Sequence, residues 1–358
     1  MTLQATTSGV ARLVALGQSA WYDNLTRPLA RGGLDELVER HRISGVTSNP
    51  TIFEKAITAG RDYAEQLGSL GRIDPEVAYW DLVVDDIGQA ADRLRPVFEA
   101  TGGDDGYVSV EVSPLLAHDA AGTVAQAQEL FTRIAKPNVM IKIPATPAGL
   151  PAVSDVIAAG VNVNVTLIFS LDRYRAVIDA YLDGLARLAD PSAVASVASF
   201  FVSRVDTETD ARLAEGHPLR GRAAVANAKL AYELFEARFS AEPFSGLAAA
   251  GARPQRPLWA STSTKNPAYS PTLYVDELVG PNSVNTLAPA SIDALSDDDR
   301  LRADSVRDDL AGARAVIDGL ADAGVDYDDV TATLERDGVE AFAQSYRACL
   351  DALAAALR

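Results

Sequence analysis

One lysine stands inside a stretch that otherwise has the composition of a buried strand, MIKIPATPAGL at 140–150. Lysine is among the residues least often fully buried, because an ammonium group that leaves water needs a partner. The chain has only five lysines, while arginine supplies the other 27 of its 32 basic residues. Since arginine does not deprotonate, a lysine on a buried strand face is expected to serve as an amine. The alternative is an internal salt bridge of Lys142 with Glu111 or Asp23.

The chemistry open to such an amine is Schiff-base formation. Desolvation favours the neutral form of an amine, and a neutral amine can condense with a ketone. The reaction needs an acid/base, for which Glu111 and Asp23 are the inward carboxylates available. Amide and hydroxyl groups suited to a polyhydroxylated substrate accompany them, at Asn49, Asn164, Thr166 and Ser199. These residues together point to a carbohydrate.

Eight short β-like stretches are expected to position these side chains. They span 20–23, 43–47, 107–112, 139–143, 161–167, 194–202, 257–261 and 283–287. Helical periodicity is clear at 121–135, 172–188, 225–239 and 306–321, with Ser170 and Thr207 placed to cap helices. Alternation of strand and helix predicts parallel βαβ units, and eight units favour a closed (β/α)8 TIM barrel. An open doubly wound sheet is the alternative, but no Gly-x-Gly-x-x-Gly or Walker-type loop follows any strand.

The predicted α/β domain organisation is a single barrel domain over 1–358 with extra helices. It has a long insertion after strand seven, around 265–282, and a helical C-terminal region at 291–358. The acidic run at 297–299 is interpreted as a solvated helix start.

Several strands alternate between apolar and polar residues. In 161–167, Val161, Val163, Val165 and Leu167 share one face, while Asn162, Asn164 and Thr166 share the other. A single strand of this kind is also typical of an edge or antiparallel strand in a sheet that has one solvent-exposed face. With helices between the strands, however, the apolar faces are expected to lie under helices and the polar faces inside the barrel. Barrel enzymes place their chemistry at the carboxyl ends of such strands.

A phosphate site is predicted beside this cluster. Arg204 follows strand six, and Ser261, Ser263 and Lys265 follow strand seven. Phosphate commonly binds at the last loops of a barrel, where basic groups and hydroxyls suit the anion. The alternative for Arg204 is a surface ion pair with Asp206.

Charge and cysteine content limit the partners. The net charge of −17 argues against nucleic acid or an anionic membrane, since both are bound through basic surfaces. The lone Cys349 allows no internal disulfide and fits a reducing compartment. Neither a signal segment nor a membrane span is apparent, so we expect a cytoplasmic protein.

Seven stretches in order along the chain resemble the strand motifs of transaldolase, a class I aldolase family of the pentose phosphate pathway. They are GVTSNPTIFEKAI, VSVEVSP, MIKIPATPAGLPAV, GVNVNVTLIFS, SFFVSRVD, ANAKLAY and PLWASTSTKNPAYSPTLYVDELVGPNSVNTLAP. The match covers roughly residues 15–290, and several ordered motifs are far more specific than one. The extended TKNPAYSPTLYVDELV segment is most similar to the actinobacterial and cyanobacterial-type branch.

The resemblance implies a (β/α)8 barrel with a Schiff-base lysine at Lys142. It implies that Glu111 and Asp23 are the acid/base carboxylates and that Thr166 positions water. It assigns substrate binding to Thr47, Asn49, Asn164, Ser199 and Phe201, and phosphate binding to Arg204, Ser263 and Lys265. Short-form members carry an arginine where this chain has Lys265, which would meet a phosphate only as a point charge.

The implied activity moves a dihydroxyacetone unit from sedoheptulose 7-phosphate to glyceraldehyde 3-phosphate, giving erythrose 4-phosphate and fructose 6-phosphate, with no metal or other cofactor. Two alternatives stay open. One is fructose-6-phosphate aldolase-like cleavage, although related aldolases carry tyrosine in place of Phe201. The other is a non-catalytic barrel that binds sugar phosphates. A monomer and a homodimer are both compatible with the sequence.

Overall fold

The computed structural model describes residues 8–59, 62–295 and 300–358. Their strands form a closed parallel barrel in which each strand pairs with the next along the chain and the last pairs with the first. The strands are β1 Ser19–Asp23, β2 Gly45–Thr47, β3 Tyr107–Glu111, β4 Val139–Pro144, β5 Val163–Ile168, β6 Ser196–Phe201, β7 Arg256–Ala260 and β8 Val284–Leu287. The predicted barrel and its eight strands are confirmed, and the open sheet is wrong.

Helices surround the barrel and cover its apolar strand faces. They are α1 Gly9–Ala15, α2 Leu34–His41, α3 Pro50–Thr58, α4 Ala64–Leu70, α5 Pro75–Ala100, α6 Ala120–Ile134, α7 Gly149–Ala158, α8 Leu171–Arg187, α9 Ser203–Arg212, α10 Ala223–Phe239, α11 Glu242–Ala249, α12 Leu273–Glu277, α13 Pro289–Ala294, α14 Leu310–Asp322 and α15 Tyr327–Ala356. Among these described helices, none has the length and apolar character needed to cross a membrane.

The predicted helices agree with α6, α8 and α10, whereas the helix expected at 306–321 begins later. A 3₁₀ turn at Ser305–Arg307 precedes α14, and Asp309 caps α14 from a left-handed conformation by accepting a hydrogen bond from the Gly312 amide. Ser170 caps α8, as predicted. The capping role of Thr207 is wrong, because Thr207 lies within α9 and bonds the Ser203 carbonyl.

Aromatic and charged residues close the amino-terminal end of the barrel. The Trp21 indole donates a 2.7 Å hydrogen bond to Asp105, and Arg256 pairs with the same carboxylate at 3.1 Å. The rings of Trp21 and Tyr107 lie 6.3 Å apart. Gly45 stands opposite Trp21 in the β1–β2 register, and its missing side chain leaves the space for the indole. Polar residues are therefore left for the opposite, carboxyl-terminal end.

Strand β5 carries a bulge close to that end. Its register against β6 shifts between Val165 and Ile168, and Leu167 adopts a φ of 60°. The predicted alternation therefore stops at Thr166, and Leu167 does not continue the outward face. Bulges of this kind re-aim side chains beside active sites. Here the bulge includes Thr166 itself.

The carboxyl-terminal region is helical where it is described, in α13, α14 and α15. The predicted helix start at 297–299 lies outside the described residues. The stretch 265–282 after β7 consists of turns around α12. It joins β7 to β8 at the same end of the barrel as the polar strand ends.

The fit between Gly45 and Trp21 predicts a stability change. A Cβ at position 45 would lie 2.4 Å from the indole ring, so Gly45→Ala should lower the free energy of unfolding by about 3 kcal/mol through overpacking. Gly88→Ala in α5 is the matched control, because its Cβ would meet nothing within 4 Å and alanine is the better helix former by about 1 kcal/mol. Urea denaturation of both variants measures the effect. Equal stability of Gly45→Ala and the unsubstituted protein would contradict this packing.

Candidate active site

A cavity of about 490 Å³ opens at the carboxyl-terminal end of the barrel. It brings together ten of the residues predicted from the sequence. They are Asp23, Thr47, Asn49, Lys142, Thr166, Ser199, Phe201, Arg204, Ser261 and Lys265. Residues from most of the strands therefore meet in one place, where barrel enzymes carry their catalytic groups.

Lys142 is buried at the base of the cavity, with 5% of its surface exposed. Its Nζ lies 3.2 Å from Glu111 Oε2 and donates a longer hydrogen bond, 3.4 Å, to the Ser48 carbonyl. The register of β3 and β4 places the two charged residues directly opposite each other. The expected ion pair is thus present with Glu111 and not with Asp23. An ion pair and a catalytic amine are compatible, since the carboxylate lies within reach of any group attached to Nζ.

Glu111 is equally buried, with 6% exposed. Burial raises the pKa of the Glu111 carboxyl above its ordinary value, and the positive charge of Lys142 opposes that rise. A carboxyl in such surroundings is suited to both hold and release a proton. Glu111 therefore has the position and the environment of an acid/base partner for the amine.

Asp23 occupies a different part of the cavity wall. Thr47 donates a 2.9 Å hydrogen bond to Asp23 Oδ1, across the β1–β2 register that pairs these two residues. This bond fixes the carboxylate in one orientation while the side chain still lines the cavity. The site thus holds two carboxylates with separate partners, which allows them separate roles.

Hydroxyl and amide groups complete the barrel end. Ser199 donates to Asn164 Oδ1 at 2.7 Å, and the Asn164 amide donates to Ser109 at 3.0 Å. Asn49 caps α3 by accepting the Ile52 amide proton at 3.0 Å. The hydroxyl of Thr166 is buried without a hydrogen-bond partner among the described residues. A buried hydroxyl usually has a partner, so Thr166 is the group best placed to bind a water or a substrate atom.

Basic side chains lie along one part of the cavity. Arg204, at the start of α9, stacks over Phe201 with 5.2 Å between guanidinium carbon and ring centre. Burial lowers the pKa of Arg204 and Asp23 opposes the change, yet an arginine stays charged in any such setting. Lys265 and Lys55, both exposed, reach the same cavity. None of the three forms an ion pair within the described part of the chain.

The alternative reading of Arg204 as a partner of Asp206 is wrong. Asp206 is buried and turned away, accepting hydrogen bonds from the Ala224 amide at 2.8 Å and the Tyr274 hydroxyl at 2.9 Å. Its neighbour Asp210 accepts from Tyr269 at 2.6 Å. Both tyrosines belong to the stretch 265–282. That stretch is thereby fastened to α9, the helix that presents Arg204.

The structure places Ser263 differently from the sequence expectation. Within the described residues Ser263 is not part of the cavity wall, and its hydroxyl lies 3.3 Å from that of Ser291 in α13. Ser261, predicted for the same phosphate site, does line the cavity. A φ of 57° at Ser261 turns the chain at the end of β7, so the strand alternation does not carry on to Ser263. A phosphate-binding role for Ser263 stays a prediction.

Among the cavity residues that the sequence reasoning missed, Lys55 and Phe342 bear on the chemistry. Lys55 lies in a quoted motif, six residues after Asn49, and a helix starting at Pro50 brings it to the cavity. Phe342 comes from α15, two hundred residues away from Lys142. Only an apolar position in a helical pattern marked Phe342, and such positions normally belong to the core. Among the described residues no group of three or more His, Cys, Asp and Glu is arranged to hold a metal ion.

Comparison with known proteins agrees with this geometry. Residues 20–353 match the family described as transaldolase/fructose-6-phosphate aldolase. "Transaldolase 1" of Streptomyces avermitilis is 48% identical, covering 100% of this chain and 98% of that protein. The transaldolase of Saccharopolyspora erythraea is 50% identical over 96% of each chain. That of Mycolicibacterium smegmatis is 48% identical over 96% of each.

The burial of Asp206 predicts a pH effect on stability. Burial raises the pKa of Asp206 to about 6 from an ordinary 3.8. A raised pKa favours the folded state below the unfolded value, and that contribution is lost as the pH rises through about 6. As the pH rises from about 4 to 7, the unfolding free energy of Asp206→Asn should therefore increase by up to roughly 3 kcal/mol relative to that of the unsubstituted protein. Urea titrations across this range measure the difference, and a pH-independent difference would contradict the prediction.

Proposed function

The chain belongs to the transaldolase/fructose-6-phosphate aldolase family, and we propose that it transfers a dihydroxyacetone unit from sedoheptulose 7-phosphate to glyceraldehyde 3-phosphate. The products are erythrose 4-phosphate and fructose 6-phosphate. The observation that carries the proposal is the buried Lys142 amine at the base of the cavity, 3.2 Å from the Glu111 carboxyl. Similarity to proteins named transaldolase supports it over the whole length of the chain.

The reaction begins with attack of the Lys142 amine on the C2 carbonyl of the ketose. The resulting carbinolamine must lose water to become an iminium. Glu111 is the proton source for that step, acting through a water held by the free hydroxyl of Thr166. The iminium then accepts the electron pair that carbon–carbon cleavage releases. Because the protein supplies this electron sink covalently, the proposed chemistry uses no metal and no other cofactor.

Cleavage requires a second base. Asp23, oriented by Thr47, removes the C4 hydroxyl proton, the C3–C4 bond breaks, and the aldose phosphate leaves. The three-carbon unit stays attached to Lys142 as an enamine. Asn49 and the Ser199–Asn164 pair supply hydrogen-bonding groups for its hydroxyls. When the acceptor aldehyde binds, the same steps run in reverse and form the new ketose phosphate.

The phosphate end of the substrate is assigned to the basic part of the cavity. Arg204 is held against Phe201 and has no competing carboxylate partner among the described residues, so its guanidinium can bind a phosphate in the bidentate manner. Lys265 and Lys55 add positive charge at the cavity. These groups counter the strongly acidic net charge of −17, which would otherwise repel an anionic substrate.

Fructose-6-phosphate aldolase activity is the second candidate, because the matched family contains both activities. It differs in releasing free dihydroxyacetone without an acceptor. Phe201 lines the cavity and carries no hydroxyl, so it cannot supply a proton for release. That observation favours the transferase. A non-catalytic barrel, the third possibility, leaves the lysine and its two carboxylates without a use.

The proposal also includes the domain organisation, the oligomeric state, the cellular location and the partners of the protein. We expect residues 1–358 to act as one barrel domain, with the stretch 265–282 serving to hold α9. We expect a monomer or a homodimer in the cytoplasm, with sugar phosphates and not nucleic acids or membranes as partners. The buried, unpaired Cys349 and the acidic surface support this setting.

Borohydride trapping tests the covalent step. Reduction in the presence of fructose 6-phosphate should add a dihydroxyacetone-derived mass to the peptide that contains Lys142, as read by peptide mass spectrometry. Lys142→Arg should lose the adduct and nearly all transfer activity, because arginine does not act as an amine nucleophile.

Lys229→Arg is the matched control for a buried lysine. Lys229 pairs with Glu277 at 2.8 Å, away from the cavity wall, so this variant should still be labelled at Lys142. The assignment of Lys142 is wrong if the unsubstituted protein turns over fructose 6-phosphate and yet carries no adduct there.

A further inference from the structure

Phe342 is an apolar cover over the Lys142 amine. Its side chain lines the active-site cavity, only 4% of it is exposed, and the ring centre lies 5.7 Å from Lys142 Nζ. The ring belongs to α15 and not to the barrel. An apolar face is thus placed beside a group that would otherwise face the polar cavity.

Helix α15 is fastened to helices around the barrel on both sides of Phe342, so Phe342 cannot easily move away. Four contacts hold the helix, each to a different partner: Arg212–Asp329 at 2.6 Å with α9, Arg173–Glu335 at 3.0 Å with α8, Thr51–Ser345 at 2.8 Å with α3, and Glu76–Tyr346 at 2.7 Å with α5. Phe342 lies between the second and third of them. The helix therefore crosses the barrel end and is held in place there by these contacts.

Gly338 lies one helical turn before Phe342, on the same face of α15. A Cβ at this position would approach Leu167 Cδ2 to 3.0 Å and Arg204 Nη1 to 3.6 Å. The absence of a side chain at 338 lets the helix come down onto the bulge of β5 and beside Arg204. Gly338 thus lies near Arg204, where the phosphate is proposed to bind, and Phe342 lies near the Lys142 amine.

We propose that Phe342 is a specificity-determining residue that keeps bulk water from the enamine, beyond the one water that Thr166 holds, and so favours transfer over release. The inference rests on the proposed function. Release requires a proton on C3 of the enamine, which restores the iminium, and then a water whose oxygen bonds to C2. The carbinolamine so formed loses a proton, collapses to free dihydroxyacetone and returns the amine. The product ketose also leaves through hydrolysis of an iminium, for which the water held by Thr166 serves. The apolar ring beside Nζ removes space and hydrogen-bonding groups for the further water that would carry a proton to C3.

The ring has a second effect on the same intermediate. The iminium carries a positive charge, and a cation within about 6 Å of an aromatic ring centre is stabilised by the ring quadrupole. The phenylalanine ring therefore both excludes water from the bound intermediate and stabilises its charge, while leucine, which is smaller, excludes water only in part and does not stabilise the charge. The two contributions can be separated by substitution.

The test compares Phe342→Leu and Phe342→Ala. With fructose 6-phosphate as donor, two rates are measured: release of free dihydroxyacetone without an acceptor, and consumption of erythrose 4-phosphate in transfer. The first rate divided by the second is the partition ratio of the intermediate. Phe342→Leu should raise this ratio by about threefold and Phe342→Ala by about tenfold or more, as water gains access. Phe342→Leu should also lower the borohydride-trapped fraction, since it lacks the ring.

Leu353→Ala is the control for loosening of α15. Leu353 is fully buried on the same helix and is absent from the cavity wall, so this variant should lower the melting temperature without changing the partition ratio. If Phe342→Ala does not fold, Phe342→Leu decides. An unchanged ratio in folded Phe342 variants overturns the inference, as does an equal rise in Leu353→Ala. Absence of transfer by the unsubstituted protein would instead overturn the proposed function itself.

Discussion

The rest of the structure depends on the contact between the Lys142 ammonium and the Glu111 carboxylate inside the barrel. Two charges this deeply buried lose most of their hydration, and their attraction compensates only when the geometry is held. The parallel register of β3 and β4 holds it by setting the two residues side by side. In the proposed mechanism, a substrate that bonds to the amine replaces this pair with a covalent intermediate. The fold thus holds an acid/base group beside the amine to which the proposal assigns the first step.

The other elements can be understood as surroundings of that pair. Trp21 and Arg256 fill the amino-terminal end of the barrel, so the polar inward residues collect at the opposite end. At the bulge, the Thr166 hydroxyl is left unsatisfied in the same cavity as the amine. Helix α9 brings Arg204 to the cavity and is itself held by Tyr274. Helix α15 places the Phe342 ring 5.7 Å from the Lys142 amine. Under the proposed function, each of these features either positions a reacting group or limits what reaches it.

The barrel and most of its polar end could be predicted from the sequence because they follow from a period of two along each strand. Lys142, Glu111, Asn164 and Ser199 are all found by that rule. It fails where the backbone leaves the strand conformation. The left-handed residues Leu167 and Ser261 end the alternation, which is why Ser263 lies beside Ser291 and not in the cavity. No local pattern predicts a positive φ at a leucine or a serine, since glycine, asparagine and aspartate are the residues that favour it.

Long-range placement was the other limit of sequence reasoning. Phe342 is one of many apolar positions in a long helix, and its spacing is the same whether it packs in the core or over a lysine. Its position depends on contacts between α15 and four separate helices, none of which is local in sequence. The stretch 265–282 is a similar case. Its tyrosines identify it as structured only once Asp206 and Asp210 of α9 are seen to accept their hydrogen bonds.

The most direct test of this account is a crystal structure of the protein reduced with borohydride during turnover of fructose 6-phosphate. The account predicts continuous density from Lys142 Nζ into a three-carbon unit, with Glu111 still beside the nitrogen, Phe342 covering it and the broken-bond side facing Asp23. A ligand seated in the cavity without a bond to Lys142, with the 3.2 Å ion pair to Glu111 intact, would contradict it.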